Sequence, residues 1–279
     1  MSKELAEHLK YFADLGVAGV NRDPAWRRRV DTPRGETAGL SEQTAIDEPT
    51  ADGVVLAETG QTSMKTDVPA LSAEEALAAL RIDIGPQCMR CKLCTLGRKQ
   101  VVYGVGNPSA ELMFVGEAPG ADEDEQGEPF VGKAGLLLTK IIQAMGFARE
   151  EVYIGNVLKC RPDMPAGSMG NRKPEPEEMK TCLPWLEKQI ELIQPRAMIA
   201  LGATAIEGLL GNTEPVGRLR GRWLDFKGIP VMTTYHPAYL LRNQSITEKR
   251  KVWEDMLKVL EKLGKPISEK QRQFFTKGG

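Results

Sequence analysis

Residues 196–210, RAMIALGATAIEGLL, place a strand directly before a helix. The apolar run 196–201 predicts a buried strand, and 203–210 predicts the helix that follows it. The same alternation continues from Leu71 onward. It predicts helices at 72–81, 133–146, 175–193 and 246–263, and strands near 101–105, 112–116, 152–157, 222–227 and 229–234. Such βαβ units indicate an α/β fold, a three-layer α/β/α sandwich with a central, mainly parallel sheet.

The composition is that of a globular chain. With 279 residues, of which 41% are apolar, the chain can bury a substantial core. No stretch reaches the roughly 18 apolar residues of a membrane span, and no apolar run follows a positive N-terminus. The five cysteines are clustered, which favours metal ligation in a reducing compartment over a secreted disulfide framework. We therefore expect a cytoplasmic protein without membrane contact.

The N-terminal part differs in composition from the rest. Residues 3–16 place apolar side chains at helical spacing, which predicts a short amphipathic helix. That helix is either a packing accessory or a docking motif for a protein partner. The acidic, Gly/Ser/Pro-rich residues after it have too little to bury and are predicted to be a disordered linker. The predicted parts are an N-terminal extension 1–75, a domain 76–265 and a C-terminal tail 266–279.

The charge is divided unequally along the chain. Residues 1–75 carry 8 basic and 14 acidic side chains, whereas residues 76–279 carry 29 basic and 24 acidic ones. The larger part is therefore mildly basic. This balance is compatible with a polyanionic partner but does not require one, because a local patch matters more than a total.

Residues 127–134, GEPFVGKA, nearly match the nucleotide-binding loop G-x-x-x-x-G-K-[ST]. The match fails where the chemistry is strict, because Ala134 has no hydroxyl for magnesium and Pro129 lacks an N–H donor for phosphate. A nucleotide-hydrolysing site is thus excluded. A smaller prediction remains: Gly132 and Lys133 open a helix, and such a helix start with a lysine suits a phosphate.

The cysteines are grouped around CMRCKLC, residues 88–94. This run begins like a ferredoxin motif, but Arg98 stands where the fourth ligand would fall, so the run cannot complete a site alone. Cys160 and Cys182 lie further along the chain. Taken singly, each distal cysteine fits a small buried apolar residue. Together with the proximal run, four of the five indicate a four-thiolate site for zinc or an iron–sulfur cluster.

Three polar side chains directly follow predicted strands. Glu117 follows LMFVG, Asn156 follows VYIG, and His236 follows IPVMTTY. The carboxyl ends of parallel strands meet at one edge of a sheet, where ligands bind. A single histidine there is as readily structural as functional, so the three side chains together carry the prediction of a functional site.

Four motifs in order resemble the family 4 uracil-DNA glycosylases, the iron–sulfur branch of their superfamily. They are GEAPG (116–120), EPFVG (128–132), NVLKCRP (156–162) and HPAYLLR (236–242), with CxxC upstream. The resemblance implies a single α/β domain, acting as a monomer on uracil-containing DNA. It would flip uracil out, hydrolyse the N-glycosidic bond and leave an abasic site for base excision repair.

The resemblance also implies a role for individual residues. Uracil would be stacked on Phe130, read at its polar edge by Asn156 and contacted at O2 by His236. The other implied residues are Gly116, Glu117 and Ala118 lining the pocket, Leu240, Leu241 and Arg242 in a loop that inserts into the DNA duplex, and Cys88, Cys91, Cys160 and Cys182 binding a [4Fe-4S] cluster. Cys94 would then be the spare cysteine. Either leucine could instead pack in the core. Lys133, at its helix start, is expected to contact a DNA phosphate.

Elementary chemistry supports these implied roles. Stacking on Phe130 supplies roughly 1 to 3 kcal/mol without identifying the base. The amide of Asn156 offers a donor to O4 and an acceptor to N3–H, whereas cytosine presents the reverse pair. Bond cleavage leaves an anionic uracil, which a neutral His236 stabilises by donating to O2.

The first motif departs from GQDPYH of the best-known glycosylases of the superfamily. Ala118 stands where their water-activating aspartate lies, and Gly120 replaces their thymine-excluding tyrosine. We therefore expect another carboxylate, Glu123, to orient the attacking water.

Two other functions remain as alternatives. A non-catalytic or covalent uracil-DNA binding module is one, although the covalent branch has glutamine in place of Ala118 and a histidine-bearing basic loop. A zinc-stabilised nucleic-acid scaffold is the other. The loop 163–173 either lies against DNA through Arg172 and Lys173 or is a mobile surface loop.

Overall fold

The computed structural model describes residues 71–162 and 171–276. The predictions for the N-terminal helix, its linker and its protein partner lie outside the described residues, as does most of the loop 163–173. None of the helices in the described ranges combines the length and apolarity needed to cross a bilayer.

Strands and helices alternate as the sequence predicts, but the strand predicted near 101–105 is wrong in its bounds, because β1 covers only Val105–Gly106. In chain order they are α1 (Ala73–Ile84), β1 (Val105–Gly106), β2 (Leu112–Gly116), α2 (Ala121–Gln126), α3 (Lys133–Met145), β3 (Tyr153–Asn156), α4 (Pro176–Ile193), β4 (Ala197–Leu201), α5 (Ala203–Leu210), α6 (Val216–Leu219), β5 (Trp223–Phe226), β6 (Ile229–Thr234), α7 (Pro237–Arg242), α8 (Ile246–Leu263) and α9 (Glu269–Gln273), with short 3-10 turns at Lys92–Thr95 and Arg149–Glu151.

The strands form one six-stranded sheet in the order β1-β3-β2-β4-β6-β5. The four inner strands β3, β2, β4 and β6 are parallel. The edge strands β1 and β5 are antiparallel to their neighbours. The prediction of a mainly parallel sheet is therefore confirmed, and the carboxyl ends of the inner strands share one edge.

Alternate residues of the inner strands face two different helical layers. Phe114 and Ile199 pack with α3 and α8 on one side of the sheet. Met113 and Met198 pack with α4 and α5 on the other side. Because successive strand residues point to opposite faces, continuous apolar runs such as LMFVG fill both cores. The three-layer α/β/α sandwich is confirmed.

Four described helices were not predicted, and one of them is the short α6. The segment HPAYLLR was expected to form a loop, and this is wrong: α7 begins at Pro237, whose fixed φ suits the first turn of a helix. Helix α2 has a polar sequence, ADEDEQ, without an apolar stripe. Helix α9 lies in the predicted tail, where Phe274 and Phe275 pack into the core, so the packed domain extends through Phe275.

Candidate active site

The carboxyl ends of β2, β3 and β6 bring the predicted site residues to one place. Gly116 and Asn156 are direct register partners at the ends of β2 and β3. His236 follows the end of β6 by two residues. Gly202, directly after β4, has a positive φ of 91°. A Cβ placed on this glycine would lie 3.0 Å from Cβ of His236, so glycine leaves room for the histidine.

Gly116 allows two functional side chains to approach each other. A Cβ placed on Gly116 would lie 2.3 Å from Oδ1 of Asn156 and 2.6 Å from Cζ of Phe130. The Phe130 ring in turn stacks on His236, with ring centroids 5.6 Å apart and an angle of 29° between the planes. Phe130, Asn156 and His236 therefore surround one point at the edge of the sheet.

Asn156 carries an unpaired polar atom inside the protein. Its side chain is 3% exposed, and Oδ1 has no hydrogen-bond partner among the described residues. Leaving a buried acceptor unsatisfied costs about 1 to 3 kcal/mol. A binding site is one reason for such a group to persist, because a ligand with an N–H donor would satisfy it.

His236 is held as a neutral hydrogen-bond donor. Its Nδ1 accepts the backbone N–H of Ala238 at 3.1 Å, which caps α7. Burial, assisted by the positive charge of Arg242, lowers the pKa of His236 to about 4. Because Nδ1 is the acceptor, the proton of the neutral ring lies on Nε2, which is then available to a ligand.

Phe130 lies in a constrained backbone conformation. Its φ is 54°, in the left-handed region that residues other than glycine rarely adopt. The Glu123 carboxylate holds this loop, since Oε1 accepts from Val131 and Gly132 at 3.0 and 3.1 Å and Oε2 accepts from Gly120 at 3.0 Å. Glu123 thus positions the aromatic ring, a task that the sequence did not predict. Its assignment to the attacking water stays a prediction.

Glu117 is half-buried beside Gly116 at the end of β2. Burial raises the pKa of this carboxyl, and a hydrogen bond with Thr204 and the charge of Lys173 partly oppose the rise. Its backbone oxygen accepts from Leu158 at 3.0 Å, which joins the segments that follow β2 and β3.

Four cysteines line one cavity beside this site. Cys88, Cys91, Cys160 and Cys182 line the same small cavity, and Cys94 is not among its lining residues. Burial raises the pKa of Cys160 to about 12 and that of Cys182 to about 11. Thiols in such surroundings become ligands only when a cation compensates the buried thiolate.

Three N–H groups point at the sulfur atoms of this cavity. Arg98 donates to Sγ of Cys160 at 3.1 Å, the backbone of Lys159 donates to Sγ of Cys182 at 3.2 Å, and Arg90 donates to Sγ of Cys88 at 3.5 Å. Hydrogen bonds to sulfur are a common feature of iron–sulfur sites.

Within the described ranges, no three His, Cys, Asp or Glu side chains are grouped so that they could hold a metal ion. A single zinc ion requires four ligands that converge at about 2.0 to 2.3 Å. In a [4Fe-4S] cluster each thiolate instead binds its own iron, so the sulfurs stay apart around a shared volume. A common cavity lined by four cysteines fits the second case better.

The model of the uracil DNA glycosylase superfamily matches residues 103–257, more than half of the chain. The chain belongs to this superfamily. It is 45% identical to a type-4 uracil-DNA glycosylase of Thermotoga maritima over 195 residues, which is 69% of this chain and 92% of that protein. Type-4 enzymes of Saccharolobus solfataricus and Archaeoglobus fulgidus are 43% and 40% identical, over 65% and 69% of this chain and 85% and 96% of their own lengths.

In this member of the superfamily, one of the side chains predicted to contact DNA is buried by helix α7. Leu240 is 3% exposed and packs in the core, which contradicts its predicted role as an inserting side chain. Leu241 is half-buried and Arg242 is exposed. On a helix, neighbouring residues point in different directions, so Leu240 faces the core while Arg242 faces outward. Lys133 is exposed at the first residue of α3, as predicted.

The two basic residues after the loop 163–170 are already paired in this glycosylase. Arg172 makes a bidentate pair with Glu178, at 2.6 and 2.9 Å. Lys173 pairs with Glu207 at 2.5 Å. The contact with DNA that was weighed for Arg172 and Lys173 therefore has to compete with existing ion pairs.

A buried lysine joins the two parts of the site and was missed from the sequence. Lys159 is 1% exposed, and its Nζ donates to the backbone oxygen of Asn156 at 2.9 Å and to Gln189 at 2.6 Å. Its position between Asn156 and Cys160 in NVLKCRP was the available signal. A lysine is mostly exposed unless paired, so composition alone argues against such burial.

Proposed function

We propose that this protein removes uracil from DNA by hydrolysing the N-glycosidic bond, leaving an abasic site. The observation that carries the proposal is the unpaired, buried Oδ1 of Asn156 beside the Phe130 ring. Uracil has an N3–H donor that would satisfy this atom, and a flat face that would stack on Phe130. The family, with its type-4 relatives named uracil-DNA glycosylases, supports the same conclusion.

Recognition would use groups that are already in place. A base inside a duplex cannot be cut from its sugar, so the nucleotide is extruded at a cost of a few kcal/mol. Stacking on Phe130 offsets roughly 1 to 3 kcal/mol of this cost. The Asn156 amide accepts from N3–H and donates to O4, and cytosine fails on both counts because its pattern is reversed.

Cleavage would depend on stabilising charge as it develops. The departing uracil becomes anionic, and Nε2–H of the neutral His236 is proposed to donate to its O2. Three backbone donors fill three of the roughly four acceptor sites of the Glu123 carboxylate. The remaining site is where we place the attacking water. Gly116, Glu117 and Ala118 would line the rest of the pocket.

The proposed activity predicts release of free uracil from a uracil-containing oligonucleotide, without magnesium or nucleotide. Alkaline treatment should then cleave the DNA at the abasic site, and an oligonucleotide with thymine or cytosine at that position should stay intact. Intact uracil-containing DNA after alkali, despite tight binding, would contradict the enzyme and favour a binding module.

We further propose that Cys88, Cys91, Cys160 and Cys182 hold a [4Fe-4S] cluster. The shared cavity and its N–H donors support this assignment. The cluster would act as a structural cross-link. It would join the CMRCKLC segment to the residues after β3 and to α4, and Ala118 packs against the same group of side chains. All five cysteines are free, which suits a reducing compartment such as the cytoplasm.

Cysteine substitutions should separate the four ligands from Cys94. Cys94→Ser is expected to keep the broad visible absorbance of an iron–sulfur protein, because Cys94 does not line the cavity. Cys182→Ser should lose most of it, since it removes one of the four thiolates. Absorbance per protein and iron content are the measurements. A colourless wild-type protein with one zinc per chain would instead support the zinc alternative.

DNA contact is proposed for three exposed or half-exposed groups at the same edge of the sheet. Leu241 would fill the gap left by the extruded base, while Arg242 and Lys133 would pair with phosphates. We propose that the protein acts as a monomer.

A further inference from the structure

The segment from Val216 to Arg222, VGRLRGR, carries three arginines at alternate positions. The middle one, Arg220, points inward. It donates to the fully buried Asp255 at 2.6 and 3.2 Å and to the backbone oxygen of Lys251 at 2.6 Å. Leu219 is 2% exposed. Arg220 therefore anchors the segment to α8, and the outer arginines Arg218 and Arg222 lie on either side of this anchor.

This segment borders the edge of the sheet that carries the proposed site. The backbone N–H of Gly221 donates to the oxygen of Thr233 in β6 at 2.9 Å. A Cβ placed on Gly217 would lie 3.5 Å from the hydroxyl of Tyr235, the residue directly before His236. The outer arginines thus lie beside β6 and β5, on the far side of His236 from β2 and β3.

Arg218 and Arg222 are exposed cations, and neither side chain has a partner among the residues that the structure describes. In the part of the chain that the structure describes, most lysines and arginines make a hydrogen bond, an ion pair or an aromatic contact. The exceptions are Lys133, Lys180, Arg218, Arg222, Arg242 and Lys270. Four of these six lie around the carboxyl edge of the sheet: Lys133 opens α3, Arg242 ends α7, and Arg218 and Arg222 lie beside β6.

Lys270 lies at the opposite edge. Its helix α9 packs through Gln271 on Ala144, near the end of α3. Unpaired positive charge is therefore concentrated where the proposed pocket opens. Folding alone does not require such an arrangement, because an unpaired exposed arginine contributes little to stability.

We propose that Arg218 and Arg222 bind phosphates of the DNA backbone, forming a second contact beyond Lys133 and Arg242. Guanidinium groups match phosphate oxygens in a bidentate geometry. Two exposed guanidinium groups on one segment suit successive phosphates of a polymer better than they suit one enclosed small anion. This inference rests on the proposed function for the identity of the polymer, and it predicts affinity without base specificity.

The test measures the salt dependence of binding to a duplex without uracil. Each phosphate contact contributes about 0.9 to the slope of log K against log salt concentration. The double variant Arg218→Ala with Arg222→Ala should therefore lower the slope by about 1.8. Between 50 and 200 mM salt, the affinity of the wild-type protein should fall about 12-fold more than that of the variant. Lys270→Ala is the matched control and should leave the slope unchanged.

Further measurements separate this inference from its alternatives. The double variant should release uracil at the wild-type rate when enzyme is saturating, because neither arginine touches the base. Lysine at both positions should restore most of the slope. An unchanged slope in the double variant, or an equal fall in Lys270→Ala, would overturn the inference while uracil release stands. A lower slope in a protein that releases no uracil would keep this surface and reject the proposed activity.

Discussion

Replacing Asn156 by aspartate is expected to lower the single-turnover rate of uracil release by about 10²-fold or more. The substituted side chain keeps its size but loses the N–H₂ donor that we assign to O4. It would also place a carboxylate at a position that is 3% exposed, where no described residue pairs with Oδ1. A site built around hydrogen bonds rejects a mismatched partner strongly, because buried polar groups are then left unpaired.

A matched substitution at the other end of β2 controls for the general effect of a new carboxylate. Oδ1 of Asn107 accepts from the backbone of Ser109 at 2.9 Å, and Asn107→Asp keeps that acceptor. It should release uracil at the wild-type rate. The thermal midpoint of both variants would show whether the fold is retained. A wild-type rate in folded Asn156→Asp would remove Asn156 from the proposed site.

The fold was predictable because its signals are local. The run RAMIAL and the helix pattern after it identify a βα unit without knowledge of any other segment. Helix α2 was missed because its support is not local: the buried Asp124 accepts from the backbone N–H groups of Lys99 and Gln100, more than twenty residues away. Periodicity contains no information about such contacts. The short helix α7 was missed because the proline before an apolar run was interpreted as part of a loop.

The site was predictable to the extent that topology determines it. Glu117, Asn156 and His236 were placed at strand ends from the sequence, and parallel strands bring their carboxyl ends together, so their proximity is expected from the pattern. The stacking of Phe130 on His236 and the hydrogen bonds between Glu123 and the Phe130 loop depend on the conformation of that loop. Neither follows from spacing. The burial of Leu240 could not be predicted either, because an apolar residue beside a functional strand end fits both a core and an inserting role.

Replacing His236 by alanine is expected to lower the rate of uracil release by about 10²- to 10³-fold, the usual cost of losing one donor to a developing oxyanion. The pH dependence should show that the donor is neutral. Burial lowers the pKa of His236 to about 4, so the ring is uncharged throughout the range from pH 5.5 to 8. The wild-type rate should therefore lack a step near pH 6.5, where an ordinary histidine titrates. Single-turnover rates across this range are the measurement.

The lowered pKa of His236 also determines how the stability of the protein depends on pH. The pKa of His236 lies below the value of about 6.5 that a histidine has in an unfolded chain, so the unfolded state binds the extra proton first. The stability that neutral His236 contributes is complete above about pH 6.5 and is lost as the pH falls toward 4. Denaturant midpoints of the wild type should fall over this range, and those of His236→Ala should fall less.

The cap that His236 provides to α7 requires its own control. Nδ1 accepts from Ala238, so alanine removes a helix cap worth about 1 kcal/mol as well as the proposed donor. His236→Asn retains a side chain that caps helices well, but one too short to place a donor where Nε2 lies. If the donor at Nε2 carries the chemistry, asparagine restores the thermal midpoint and leaves the rate low. If asparagine restores both, the histidine acts through the helix alone. A wild-type rate that falls about tenfold per pH unit above 6.5 would instead identify a charged imidazolium, contrary to the burial of this ring.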